Sequence, residues 1–201
     1  MMINKMQEVL PKSEQYLTQE QMNIIINSQR LWLELAFTIR SLMMAVIRDP
    51  ERTQSAAERL YNIVEINFYN YLRLFYGPDV AQQIINYLSN FITNMWRLFE
   101  AISTNNTEEM NASTVKLYEN ADQAASYLAS INIYWNEQQW KNFFYQAIRI
   151  TIDEATTLAA KDFEKEYQIF NRLVDLATLT GDYMARGIIS RSAPSSPPQN
   201  T

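Results

Sequence analysis

The chain has 201 residues, a net charge of -5, and neither Cys nor His. That excludes disulfides, thiolate nucleophiles, Ser-His-Asp and Cys-His machinery, and imidazole or sulfur metal ligands. No Lys or Arg run forms a stripe for a phosphate backbone, so nucleic acid is not an expected partner. Apolar residues make up 47% of the chain, enough for one domain with a sizeable core, and only 3 Gly and 6 Pro punctuate it, which predicts few and long elements.

Residues 1–27 read as an N-terminal extension, because the β-prone Asn23-Ile24-Ile25-Ile26 sits among helix-forming Glu and Gln. From about Gln29 to Ile47, Leu31, Leu35, Thr38, Leu42 and Val46 recur at three- and four-residue steps and predict a helix that ends at Asp49-Pro50. A second helix runs from about Glu51 to Leu74. Tyr76-Gly77-Pro78 then offers a left-handed cap followed by a helix-opening proline.

The third helix, Pro78 to Ile102, aligns Ala81, Ile84, Leu88, Phe91, Met95 and Phe99, and the polar Thr104 to Thr107 closes it. The fourth spans about Glu108 to Ile131 with Leu117, Ala121, Ala124 and Leu128 on one side. Asn136 caps a fifth that reaches about Ala160, and Asp162 is positioned to cap a sixth that carries Ile169, Phe170, Leu173, Ala177, Thr180 and Met184 to about Ile188. The expectation is an all-α, up-and-down antiparallel bundle of five or six helices over residues 28–189, with a ferritin-like arrangement among those allowed. A disordered Pro/Ser-rich tail is expected over residues 190–201. The start of the chain has no secretory apolar core and no later stretch is long and apolar enough to span a membrane, so a cytoplasmic protein without a transmembrane segment is expected.

With catalytic motifs excluded, the strongest residual signal is one acid. On the fifth helix, steps of 100° place Trp140, Ala147, Thr151, Glu154 and Leu158 within one inward sector. The simplest reading is that Glu154 bonds a Tyr, Asn or Arg across the bundle; the alternative is a ligand or catalytic role. Asp175 and Asp182 fall on the outer face of the sixth helix. Trp32, Trp96, Trp135 and Trp140 are read as core, as is the stretch Leu42 to Ile47 with its two methionines.

Leu31-Trp32, Phe75-Tyr76-Gly77, Asn120-Ala121-Asp122, Ser130-Ile131-Asn132 with Tyr134-Trp135, and Tyr145 with Thr151-x-x-Glu154 resemble a family of small helical proteins from spore-forming Firmicutes, over roughly residues 28 to 189. Members often carry a His on the first, third and fifth helices, which implies a shared polar or metal-binding centre. By the local match those positions hold Leu35, Phe91 and Ala147, so Glu154 resembles a remnant of that centre. Some members are labelled acetylglutamate kinase, an activity of an α/β fold with glycine-rich phosphate loops that this chain cannot write.

These readings favour a diverged, non-catalytic bundle that binds a protein partner, another copy of itself or a small ligand, with no cofactor expected. The candidate polar core or pocket is Glu154, Thr151, Asn120, Tyr145 and Trp140. Two alternatives remain: a carboxylate-only metal protein or metal-dependent enzyme using Glu154 with Glu34 or Glu100, and an apolar-ligand carrier with a cavity lined by Phe91, Trp140 and Phe144.

Overall fold

Helix-forming sequence punctuated at a few sharp stops gives six antiparallel helical rods in the computed structural model, which describes residues 17–192. Helix α1 is Gln19–Arg48, and α2 (Thr53–Asn62), a π-helical turn (Ile63–Phe68) and α3 (Tyr69–Tyr76) form the second rod. Then follow α4 (Pro78–Ser103), α5 (Thr107–Ile131), α6 (Glu137–Ala159) and α7 (Phe163–Ser192). No strand occurs among the described residues.

The first helix begins ten residues earlier than its apolar stripe predicts. Thr18 and Gln21 make a capping box, in which Thr18 Oγ1 accepts from the Gln21 backbone N–H at 3.2 Å and the Gln21 side chain accepts from the Thr18 N–H at 3.0 Å. Two orphan amides are thereby satisfied, and the helix extends through Asn23 to Ile26 despite their β propensity. Gln19 to Asn27 therefore belong to the bundle and not to an extension, while residues 1–16 lie outside the described part. At the other end α7 continues to Ser192, so the helix takes in the first three residues of the expected tail; residues 193–201 lie outside the described part.

The remaining ends follow their caps. Asn106, Asn136 and Asp162 side chains accept from the backbone N–H groups of Glu109, Gln139 and Lys165. Gly77 at φ +81° turns the chain between α3 and Pro78, a conformation that costs Gly little. Two other glycines matter through closeness instead. A Cβ on Gly181 of α7 would lie 2.5 Å from the Gln29 Cα, so α1 and α7 touch backbone to backbone, and one on Gly187 would meet the Trp135 indole.

The stripes expected from the sequence face inward. Leu31, Leu35, Thr38, Leu42 and Val46 are buried, as are Leu117, Ala121, Ala124 and Leu128, and Ile169, Phe170, Leu173, Ala177, Thr180 and Met184 on α7. Each large apolar side chain buried this way contributes about 1.5–3 kcal/mol against the entropy of ordering the chain. Trp140 is fully buried at an aromatic centre, stacked on Phe144 at 5.6 Å and met edge-on by Trp135 at 5.5 Å and Tyr183 at 5.3 Å. Trp32 and Trp96 are half-buried.

Candidate functional site

Small residues on several helices leave space at the middle of the bundle. Ala36, Ala121, Ala124, Ala147 and Ala177 from α1, α5, α6 and α7 face one cavity of about 70 Å³. Its wall also holds Leu35, Phe91 and Phe144 together with Asn120 and Thr151. The three positions that match family histidines, Leu35, Phe91 and Ala147, thus converge on a single void between α1, α4 and α6. Two of the five candidate polar residues, Asn120 and Thr151, lie in the same wall.

The wall is almost wholly apolar, so the void offers little to a free ion and much to a small apolar group. Asn120 is partly spoken for, since its side-chain N–H donates to the Tyr87 carbonyl of α4 at 3.0 Å. Trp140, expected to line a pocket with Phe91 and Phe144, instead borders a separate and smaller void of about 20 Å³ on the far side of Phe144. Tyr145 also stands elsewhere, donating to Asp122 of α5 at 2.6 Å. That hydrogen bond, followed by burial, raises the Tyr145 hydroxyl above its ordinary range.

Glu154 does not line the cavity; it lies one turn further along α6, with no exposure at all. Its Oε1 accepts from Arg40 Nε of α1 at 3.0 Å. The same Nε donates to Glu166 Oε1 of α7 at 2.9 Å, and Arg40 Nη2 reaches that oxygen at 2.6 Å. Arg40 is further held by the rings of Phe170 and Tyr167, whose centroids lie 4.6 and 5.1 Å from Cζ. Of the readings offered for Glu154, a bond to an Arg across the bundle describes its contact. The partner acid is Glu166, whereas Glu34 bonds Asn67 at 3.3 Å and Glu100 is exposed, so neither expected carboxylate joins it.

One guanidinium between two buried carboxylates leaves a surplus negative charge if both ionise. Burial, then the hydrogen bond to Glu166, push Glu154 up to about 8 against the opposing attraction of Arg40. Burial also works against the Arg40 charge, but its bond and attraction to Glu166 and Glu154 outweigh it and keep the guanidinium above its ordinary value. Glu154 Oε2 is buried with no hydrogen-bond partner, an orphan that a proton suits better than a charge. Among the described residues no three His, Cys, Asp or Glu side chains are grouped to hold a metal, and Arg40 occupies the space between the two buried acids.

Sequence reasoning missed Arg40 and Glu166, though both carried a signal. Glu166 lies four residues before Phe170 and seven before Leu173, in phase with the buried stripe of α7. Arg40 falls four after Ala36 and three before Met43, both buried. Asp175 is exposed and Asp182 pairs with Arg186 at 2.6 Å on the surface, as their phase predicts.

The motif Ser130 to Trp135 builds a corner. Asn132 accepts from the Tyr134 N–H at 3.0 Å and donates to Tyr76 Oη at 2.8 Å, while Trp135 packs on Tyr76 at 5.4 Å and over Gly187. Burial raises the Tyr76 hydroxyl to about 12, so it remains a neutral donor and acceptor in this corner. Comparison with protein families, curated proteins and solved structures found no match to this chain. No helix among the described residues is long and apolar enough to cross a membrane.

Proposed function

We propose that the protein is a non-catalytic helical bundle, a diverged relative of the Firmicutes family it resembles, that binds a small, mainly apolar molecule in its central cavity. The observation that carries this reading is the convergence of Leu35, Phe91 and Ala147 on a void widened by alanines from four helices. Asn120 and Thr151 add polar atoms to that wall, which suits a ligand with one hydrogen-bonding group. A volume of about 70 Å³ is below that of the usual drug-sized pocket, so the ligand is a compact one.

A metal held by carboxylates is the weaker reading, because Arg40 already occupies the space between the buried acids and a cation would have to displace it. Xenon is the first probe, since it enters dry apolar cavities without needing polar partners. Protein purified without a polyhistidine tag should show saturable methyl shifts at Leu35, Ala121 and Ala147 under xenon pressure, with distant methyls unmoved. Shifts that are absent or spread over the whole surface would end the cavity reading. Native mass spectrometry of the same preparation then looks for a retained small molecule.

A further inference from the structure

Three helices that wall the cavity each carry a charged side chain just beyond it. Arg40 follows Ile39 on α1, Glu154 comes one turn after Thr151 on α6, and Glu166 comes two turns before Leu173 on α7. Glu154 and Glu166 are the buried acids among the described residues, and Arg40 binds both. The cluster therefore stands beyond one end of the void and ties α1 to the α6–α7 hairpin.

A surplus charge on two buried carboxylates is costly, and a single proton removes it. The buried, unpartnered Oε2 of Glu154 marks where that proton resides. We propose that Arg40, Glu154 and Glu166 form a one-proton latch on the cavity: with the proton bound the seam between α1 and the α6–α7 hairpin is closed, and once it leaves the seam loosens and ligand exchange quickens. This rests on the cavity reading above.

Of the other titratable and charged groups, one touches this site and the rest stand apart. Tyr167 of α7 packs on the Arg40 guanidinium. On α5, Asp122 pairs with Lys141 and Tyr145, which stand about 20 and about 14 Å back along α6 from Glu154. Arg97 and Glu100 of α4 are exposed. With Glu154 pushed up to about 8 in the folded chain, the latch holds its proton at neutral pH and loses it as pH rises through about 8, while the stability that the proton contributes is fully present below about 4.5 and lost as pH rises to about 8.

The test combines two readouts on the whole chain. Carboxyl carbon shifts of Glu154 and Glu166 are followed against pH by NMR, and xenon exchange at the Ala147 methyl is measured near pH 6 and near pH 9.5 for wild type and Glu154→Gln. The expected result is a Glu154 midpoint well above that of a free glutamate, with exchange about tenfold faster at the higher pH in wild type and unchanged in E154Q, whose neutral amide mimics the protonated acid. A Glu154 midpoint below about 5, or a high midpoint with pH-independent exchange, would overturn the latch while leaving the cavity standing. Absence of xenon uptake at either pH removes the cavity and the latch with it, even if Glu154 titrates high. Because the carboxyl titration is read on wild type, a poorly folding variant does not spare the idea.

Discussion

The cavity and the charged cluster share α1, α6 and α7 and stand one turn apart, yet they solve opposite problems. At the cavity, Leu35, Ala147 and Phe91 supply apolar surface but too little volume, so the void persists because the backbones cannot collapse onto it. At the cluster, Arg40 fills its space with rings above it and acids below, and the deficit is one of charge, not of volume. A missing methyl group and a missing cation both leave buried groups under-satisfied, but a proton can correct only the second. The two ends of one seam should therefore respond to different perturbations.

Truncation at the cavity should produce the largest effect. Leu35→Ala joins its lost volume to an existing void that cannot close, so about 4 kcal/mol of stability should go, at the upper part of the range for such changes. The enlarged cavity should then take up benzene, which chemical denaturation with and without the probe would reveal. Arg40→Met, which keeps the apolar stem, should cost about 3 kcal/mol at neutral pH because two buried acids lose their cation. That loss should shrink in acid, where both acids can be protonated; a pH-independent loss would mean that packing, not charge, holds the cluster.

Filling the cavity should act in the other direction. Ala147→Val should raise stability by about 1 kcal/mol and abolish xenon binding, without altering the Glu154 titration. The smallest effect belongs to Glu154→Gln in acid, below about pH 4.5, within about 0.5 kcal/mol of wild type, since the acid it replaces carries a proton there in both the folded and the unfolded chain. Wild type should lose stability relative to this variant as pH rises from about 4.5 to about 8, so the variant should melt above wild type at neutral pH and beyond. Parallel curves for the two proteins would show that Glu154 is ionised throughout.

The helices were legible because their apolar stripes, caps and the Gly77-Pro78 stop all point to the same elements. Where signals conflicted, at Asn23 to Ile26, the β-prone run drew attention away from Thr18-x-x-Gln21, although the capping box just upstream decides the local structure. The cavity was legible only in part: Leu35, Phe91 and Ala147 were grouped by the family resemblance, and of the residues expected to line a pocket Phe91 and Phe144 do so while Trp140 does not. The cluster was not, because a charged residue in phase with a stripe looks the same in sequence whether it is paired inside or reaches out to solvent. Glu166 and Arg40 are distinguished only by the crossing of α1, α6 and α7, which brings three separate stripes to one point.

The π-helical turn at Ile63–Phe68 sets the register of the second rod. Such a turn accommodates about one more residue than an α-helix of the same length, which shifts everything after it by roughly 100° around the axis. In α3 that rotation turns Leu72 into the core and aims Tyr71 at Ser28 and the Ile24 carbonyl of α1, at 2.7 and 3.0 Å. A chain with one residue deleted between Ile63 and Phe68 would form a smoother helix and a worse partner for α1, so a gain in local regularity would be a loss in assembly.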